Sequence, residues 1–473
     1  MNDYIDSSCL LTISAFSSNV SLPHQLFDPI DAHVCSIGNF YWVAGMTYER
    51  SVLEHDRELS WPFIVRTNVE REGYLSFLLP LLQNSTYSLI VDSQQLQHAM
   101  PSIDWIDKAV MEIRNNPFSI PVCGLHKDSF VARGCMLIRS TDLRKAWTRT
   151  TVRRTQTPAM VVFSHLFHCM FNYSFVDSIM PQPKAKKEQY KLNSVIATKC
   201  KESGIQFFEC FAGYHNDGSI GVILPQFKRM WLDQQLEALS ASSEIIVLQD
   251  AQHQDYQSIL RKWKRVRHIW TTNWDSPFFL RFLVTLELTT YYIHNIDDDI
   301  VFGNTTLQTL NSMIDTGNTT VGVMGRRVIR SDYLEGYYSQ IGVRGKDESS
   351  TLGDFLCNSY GGTMETMKVF WRYRPYTQNN GEDIHFSLSN LLECGRRVRI
   401  LPYDRQSDHF TDHGSDKVAT CNTRNHYPLR GKIIRSWLIK GVRFWKGNIT
   451  NESYPESIAE FYKNYVRDGY YES

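Results

Sequence analysis

Two stretches of this chain match each other without a gap. TNVEREGYLSFLLPLLQNSTYSLIVDSQ begins at Thr67 and TNWDSPFFLRFLVTLELTTYYIHNIDDD begins at Thr272, an offset of 205 (272 − 67). At that one offset Asn68 falls on Asn273, Leu75 on Leu280, Phe77 on Phe282, Leu78 on Leu283, Leu81 on Leu286, Tyr87 on Tyr292 and Asp92 on Asp297. Each stretch joins an amphipathic helix to a short apolar strand, so the chain reads as one supersecondary unit used twice. Two further likenesses extend the match. PVCGLHKD near Gly124 resembles VGVMGRRV near Gly325, and AMVVFSHLF near Phe163 resembles GEDIHFSLS near Phe386. A chain of 473 residues exceeds one ordinary core and has room for two such domains.

Around the second stretch the apolar pattern alternates between strand and helix. SIGVILP reads as a buried strand over 219–224 with a turn at Pro225, followed by a helix through MWLDQQLEALSAS. EIIVLQD (244–250) is a second short strand, and VRHIWTT follows the basic helix SILRKWKR as a third. The helix PFFLRFLVTLELT and the strand YYIHNI complete a βαβαβ alternation. This predicts an α/β fold, a mostly parallel sheet with helices on both faces. The expected organisation is a first domain over 1–180, a linker over 181–215 that includes the Lys-rich PQPKAKKEQYKLNSV, a second domain over 216–430 and a helical extension over 431–473.

Composition narrows the function classes. Lys plus Arg equals Asp plus Glu at 50 each, so no excess of positive charge points to a nucleic acid. The basic clusters Lys184–Lys187 and Lys262–Arg267 are local and read as solvated faces. Ten cysteines contain no CxxC pair, against a zinc knuckle. No run approaches the 18 apolar residues of a membrane span, and the first residues lack a basic n-region. The expectation is a soluble, cytoplasmic chain. The alternative is a Golgi or ER lumen, where the sequons at Asn19, Asn84, Asn172, Asn304, Asn318, Asn448 and Asn451 would matter.

The chemistry concentrates in YYIHNIDDDIVFG, which places Asp297, Asp298 and Asp299 at the end of a buried strand. Ligands of parallel sheets bind beyond the carboxyl ends of strands. Adjacent carboxylates repel one another unless a cation compensates, and oxygen ligands suit Mg²⁺ or Mn²⁺. In an extended segment Asp297 and Asp299 point the same way and Asp298 the other. Asp299 is therefore assigned to metal, Asp297 to metal or the nucleotide ribose, and Asp298 to the sugar or a basic partner. The first stretch keeps only Asp92, followed by Ser93 and Gln94.

Residues 217–415 resemble the GT-A superfamily of glycosyltransferases, with family-2-like and exostosin-like features. The resemblance rests on VILPQFKRMWLDQQLEAL, IIVLQDA, the DDD run, GVMGRR and GEDIHFSLSNLLECGRRVRILP. Ala251 departs from the Gly or Ser frequent in family-2 enzymes. The resemblance implies two tandem GT-A-like domains, the first degenerate, with one active site per chain. It places Pro225, Gln226 and Arg229 near the nucleotide and Gln249 and Asp250 near its base. It implies a nucleotide-sugar donor, a glycan, glycoprotein or glycolipid acceptor, and a DxD element that binds metal and donor. Glu382 and Asp383 stand where negative charge favours a helix start. In inverting relatives such an aspartate is the general base, which makes Asp383 the leading catalytic candidate and Glu382 the second. Many relatives complete the metal shell with a C-terminal histidine, and His413 is the candidate. Arg326, with Arg327, and Arg281 are candidates for pairing with the acidic site or the donor phosphate. Gly361 and Gly362 suggest a close approach of backbone to acceptor. His294 reads as a core histidine. The alternatives are a metal-dependent nucleotidyltransferase, against which the Gly-free ILPQFKR argues, and a non-catalytic glycan-binding or assembly protein.

Overall fold

The computed structural model of the chain describes residues 10–17, 36–45, 64–67, 77–82, 85–92, 101–125, 132–149, 163–164, 167, 171–176, 216–227, 229–250, 256–271, 277–301, 303–328, 338–342, 352–377, 380–401, 411–412 and 426–442. The linker expected over 181–215 lies outside them, as does the extension beyond 442. Along the chain the strands are β1 (Leu10–Ser17), β2 (Ser36–Gly45), β3 (Ile64–Thr67), β4 (Tyr87–Asp92), β5 (Ser119–Leu125), β6 (Ala132–Arg139), β7 (Asn172–Phe175), β8 (Ile220–Gln226), β9 (Glu244–Asp250), β10 (Arg267–Thr271), β11 (Tyr292–Ile296), β12 (Ile300–Val301), β13 (Val321–Gly322), β14 (Met324–Val328), β15 (Tyr338–Gly342), β16 (Leu352–Gly353), β17 (Phe355–Cys357), β18 (Ser359–Thr363), β19 (Val398–Ile400) and β20 (Thr411–Asp412). The helices are α1 (Ile103–Asn115), α2 (Ser140–Arg149), α3 (Leu232–Ala238), α4 (Gln257–Lys262), α5 (Pro277–Val284), α6 (Asn304–Gly317), α7 (Met364–Arg372), α8 (Glu382–Cys394) and α9 (His426–Ile439).

The chain divides into two units, Met1–Lys228 with Ser242–Ile293, and Arg229–Ala241 with His294–Ser473. β8, β9 and β10 group with the N-terminal strands. In the first unit the strand order is β8-β9-β10-β3-β2-β1-β4-β6-β5-β7. β1 is parallel to both β2 and β4, whereas β6 is antiparallel to β4 and β5, and β3 to β10. The second unit has β13 antiparallel to β18 and parallel to β19, the antiparallel set β15-β14-β17, and the pair β12-β20. The sheets are thus mixed, which corrects the expectation of a mostly parallel sheet. The physical reason is visible at Leu125 and Ala132. So short a connection cannot hold the dozen or more residues that a parallel crossover needs. A second correction is local: β8 runs on through Pro225, which pairs with Leu248, instead of turning there.

The repeat read from the sequence has a counterpart in the backbone. β4 and β11 both start at the offset of 205 (292 − 87), each after a short 3-10 turn, Leu79–Leu82 and Thr285–Glu287. β6 passes directly into α2 at Arg139/Ser140, and β18 into α7 at Thr363/Met364, an offset of 224 (363 − 139). At that offset the left-handed Gly134 (φ 82°) corresponds to the left-handed Asn358 (φ 63°), glycine and asparagine being residues that tolerate the conformation. Ser164 Oγ accepts the Ala132 N–H at 2.8 Å, and Ser387 Oγ accepts the Leu356 N–H at 3.0 Å. The first repeat orders its strands β3-β2-β1-β4-β6-β5-β7. The second has β10-β9-β8 in the first unit and β18-β13-β19 in the second. Its extra three-stranded set, β14, β15 and β17, has no partner in the first repeat among the described residues.

Each unit has its own packed interior. In the first, the Phe77 and Phe163 rings stack at 4.4 Å and Trp147 Nε1 donates to the Phe77 carbonyl at 3.0 Å. In the second, Met324, Phe355, Cys357, Ile384, Leu388, Ile433, Ile434 and Trp437 form one buried cluster. Burying a side chain of this size stabilises by about 1.5–3 kcal/mol. α9 is therefore part of the second unit's core and not an appended helix. No helix among the described residues is long and apolar enough to cross a membrane.

Candidate functional site

β11 is buried along its length, and the chain turns as soon as it ends. The Asp297 N–H donates to the Asn358 carbonyl at 2.8 Å, and the Ile300 N–H closes back onto the Asp297 carbonyl at 3.2 Å. The three aspartates therefore lie on a turn, not on an extended strand. The alternation expected for Asp297, Asp298 and Asp299 does not apply, because it requires extended backbone. Asp298 and Asp299 are instead reached by one guanidinium. Arg229 Nη1 stands 2.7 Å from Asp298 Oδ1 and 3.3 Å from Asp299 Oδ2, with all three side chains largely buried. Removal from water strengthens such a pairing compared with a surface salt bridge.

The turn is also held from α3. Gln235, buried on the helix stripe of Leu232 and Leu236, donates from Nε2 to the carbonyls of Asp297 (2.9 Å) and Ile300 (2.7 Å). A distant part of the chain returns here as well. Ile300 pairs with Asp412 and Val301 with Thr411. His413 itself lies outside the described residues, but its sequence neighbour Asp412 is in register with the residue after Asp299.

The second acidic group opens α8. Gly381 (φ 77°) caps the helix in the left-handed region, and Glu382 and Asp383 fill the first turn, both buried. Negative charge is favoured at this end of a helix. Asp383 Oδ1 accepts the Ile384 N–H at 2.7 Å. Asp383 is also gripped by Arg430 on α9, Nη1 to Oδ1 at 2.9 Å and Nη2 to Oδ2 at 2.6 Å. Such a two-pronged pair is strong and fixed in direction. The Arg430 guanidinium further lies 5.5 Å from the Phe355 ring and 3.4 Å from Asn380 Oδ1, and Asn380 Nδ2 contacts His426 Nδ1 at 3.2 Å. Burial, then the Arg430 charge, lower His426 to about 4, so its ring is neutral at ordinary pH.

Both acidic groups act on one buried thiol. Burial pushes Cys357 up to about 11, while Arg326 and Arg430 pull it down and Asp383 and Asp297 push it up. Arg326, half-buried on β14, thus shares its electrostatic environment with Asp297 and Asp383. Among the described residues no three His, Cys, Asp or Glu side chains stand together as a metal cage.

The other sequence candidates fall as follows. Pro225, Gln226, Gln249, Asp250 and Arg281 belong to the first unit. Gln226 is buried at the end of β8, and Gln249 Oε1 lies 2.9 Å from His268 Nε2. Asp250 ends β9 opposite Thr271, and its side chain lies outside the described residues. Arg281 is buried on α5. His294 is a core histidine as expected, 2.8 Å from Asn311 Oδ1. Gly361 has a reason inside the protein: a Cβ there would stand 2.6 Å from His294 Nδ1. Arg267, read as part of a solvated basic face, is buried and paired with Glu287.

Four participants were not singled out from the sequence as they are placed here: Gln235, Asn380, His426 and Arg430. Two of them left a signal. Arg430 shares its helix stripe with Ile433, Ile434 and Trp437, and Gln235 sits among Leu232, Leu236 and Leu239. A polar residue on an apolar stripe must find a buried partner.

No protein-family model matches the chain, and no curated protein matches it. Among solved structures it is similar to S. aureus TarS, at 17% identity and a TM-score of 0.29, over 51% of this chain and 46% of that one. It is also similar to TarS residues 1–349 in complex with UDP-GlcNAc, at 16% identity and a TM-score of 0.26, over 39% of this chain and 56% of that one. A third likeness is to a CMP-2-keto-3-deoxy-manno-octonic acid synthetase complexed with CTP, at 10% identity and a TM-score of 0.27, over 39% and 89%. The chain spans about half the length of the TarS structures it matches. At these scores the likenesses decide neither fold nor activity, and the functional reading rests on the residues themselves.

Proposed function

We propose that this chain is a glycosyltransferase that moves a sugar from a nucleotide-sugar donor to a hydroxyl of a glycan, glycoprotein or glycolipid. The second repeat carries the chemistry, and the first is a degenerate GT-A-like scaffold. The observation that supports this most is the acidic turn after β11, pinned by Gln235 and Arg229, in a unit whose buried Cys357 also feels Asp383 and Arg430.

Mg²⁺ or Mn²⁺ suits this donor set as an ion shared with a diphosphate. Such ions keep waters and phosphate oxygens and take only one or two carboxylates, so a three-residue cage is not required. Asp299 and Asp297 would hold the ion, with His413 as a further ligand. When bound, the ion neutralises charge on the departing nucleoside diphosphate. Arg229 pairs with Asp298 and Asp299 and holds them in place, and Arg326 adds positive charge for the donor phosphates. Pro225, Gln226, Gln249, Asp250 and Arg281 are assigned to the nucleotide on the sequence argument alone.

Arg430 holds both Asp383 oxygens and fixes that carboxylate in direction. Asp383 leads as the group that takes the proton of the acceptor hydroxyl, with Glu382 second, and Arg430 positions Asp383 at the head of α8. The test is a screen of nucleotide sugars with Mg²⁺ or Mn²⁺, with turnover expected for at least one donor. A folded protein that binds and hydrolyses none of them sinks the reading.

A further inference from the structure

Phe118 is the most exposed large hydrophobic side chain among the described residues, at 67%. It stands just before β5, and its carbonyl accepts the N–H of Asn172 at 2.8 Å. Asn172 begins β7, in register with Ser119, and β7 is the last strand in its order among the described residues. A strand edge beside a bare aromatic ring invites association with other chains unless something covers it. Asn172 is itself exposed and heads the sequon Asn172–Tyr173–Ser174. β5 and its neighbour β6 also carry a disulfide, Cys123–Cys135, with both residues fully buried. Disulfides persist in oxidising compartments, which include those where N-x-[ST] asparagines receive glycans.

We propose that Asn172 is an N-glycosylation site whose first sugar packs over Phe118 and caps the strand edge. The donor class is a polyprenyl-diphosphate-linked oligosaccharide. The Asn172 amide nitrogen forms a bond to the sugar's C1 and gives up one proton. The C1–oxygen bond to the diphosphate breaks, and the polyprenyl diphosphate leaves with the electron pair. A sugar face against an aromatic ring removes apolar surface from water on both sides.

The other sequons sharpen the assignment. Asn318 is exposed at the C-cap of α6. Asn304 is not available in the same way: its Oδ1 accepts the Ala241 N–H at 3.2 Å and its Nδ2 stands 3.3 Å from Ser240 Oγ. A glycan there would break both contacts. The Asn172 proposal is independent of the transferase reading, since Asn172 and Phe118 belong to the first repeat and not to the acidic turn.

The test uses protein isolated from the cells that make it. Glycopeptides are mapped with and without peptide N-glycosidase, and thiols are alkylated before and after reduction. Asn172 and Asn318 are expected to carry glycans and Asn304 none, with Cys123 and Cys135 alkylated only after reduction. A bare Asn172 overturns the proposal, whatever Asn318 and the cysteines show. The capping role has its own readout. Trimming to a single N-acetylglucosamine should leave the aggregation rate unchanged, and complete removal should raise it severalfold. Phe118→Ser should abolish that rise. If complete removal leaves the wild-type rate unchanged, the cap over Phe118 is wrong.

Discussion

The two repeats share backbone features at β4 and β11 and at β6 and β18, and diverge in side chains at matching positions. In the first, Leu89 lies opposite Leu137 across β4 and β6, both fully buried. At the same offsets (89 + 205 and 137 + 224) the second repeat has His294 beside Gly361, the ring standing where a Cβ would be. Cys135, half of a disulfide in the first, corresponds to Ser359, whose Oγ accepts the Val323 N–H at 2.9 Å. Asp92 corresponds to the first of three aspartates. The strand frame is thus indifferent to chemistry. At these positions the second copy carries polar groups with buried partners, and the first carries apolar packing and a covalent link.

The largest expected effect tests whether only one copy is catalytic. Asp299→Ala should cost about 10³-fold in kcat/KM with the best donor, by loss of charge stabilisation at the diphosphate. Asp92→Ala should leave turnover within about twofold, as expected for a site remote from the chemistry. Equal losses in the two variants would mean that the first repeat shares in catalysis.

Next comes the buried ion pair of Asp383, whose matching position in the first repeat holds Met160. Arg430→Ala leaves the Asp383 carboxylate buried without its partner, and such a loss costs about 3–5 kcal/mol. Urea unfolding reads it. Replacing both residues by apolar ones should recover much of that stability, yet activity should stay lost if the pair positions α8. Recovery of both would reduce Arg430 to a packing element.

The His294–Gly361 contact gives a smaller effect. Gly361→Ala pushes a methyl group into the His294 ring, and overpacking of this kind costs about 1–3 kcal/mol. His294→Leu together with Gly361→Ala moves toward the apolar packing of the first repeat. The double variant should be more stable than the sum of the singles predicts, because the two side chains are in contact.

The repeat and the acidic turn were legible because they are local: a constant offset and a run of like charges need no tertiary knowledge. The mixed sheet was less so, since alternation of helix and strand says nothing about the direction of β6 or β18. Connection length carried that information, at Leu125 to Ala132. The partners of the acidic groups were hidden by sequence distance. Arg430 lies far from Asp383 along the chain and Gln235 far from Asp297, and each sits in a helix whose apolar pattern is otherwise complete. Arg229 was assigned to the nucleotide from the resemblance, whereas its geometry ties it to Asp298 and Asp299. A search for polar residues that interrupt apolar stripes would have found two of these partners without any relative to guide it.

The last effect concerns acid and is small near neutral pH. His268 in the first unit and His294 in the second are both fully buried, and burial lowers them from 6.5 to about 3 and about 4. A histidine lowered on folding is neutral in the native state while the unfolded chain takes up a proton near pH 6.5. Its stabilisation is therefore complete above pH 6.5 and is lost as pH falls toward the native value. Each such residue should remove about 1.4 kcal/mol per pH unit over that window. His294→Leu restores the residue type of the first repeat and should take away its own share of the slope below pH 6.5. His268 remains and keeps the other share. A pH slope unchanged by His294→Leu would mean that His294 is protonated in the native protein, with Asn311 Oδ1 accepting from an imidazolium, and that the contrast with Leu89 is one of charge as well as polarity.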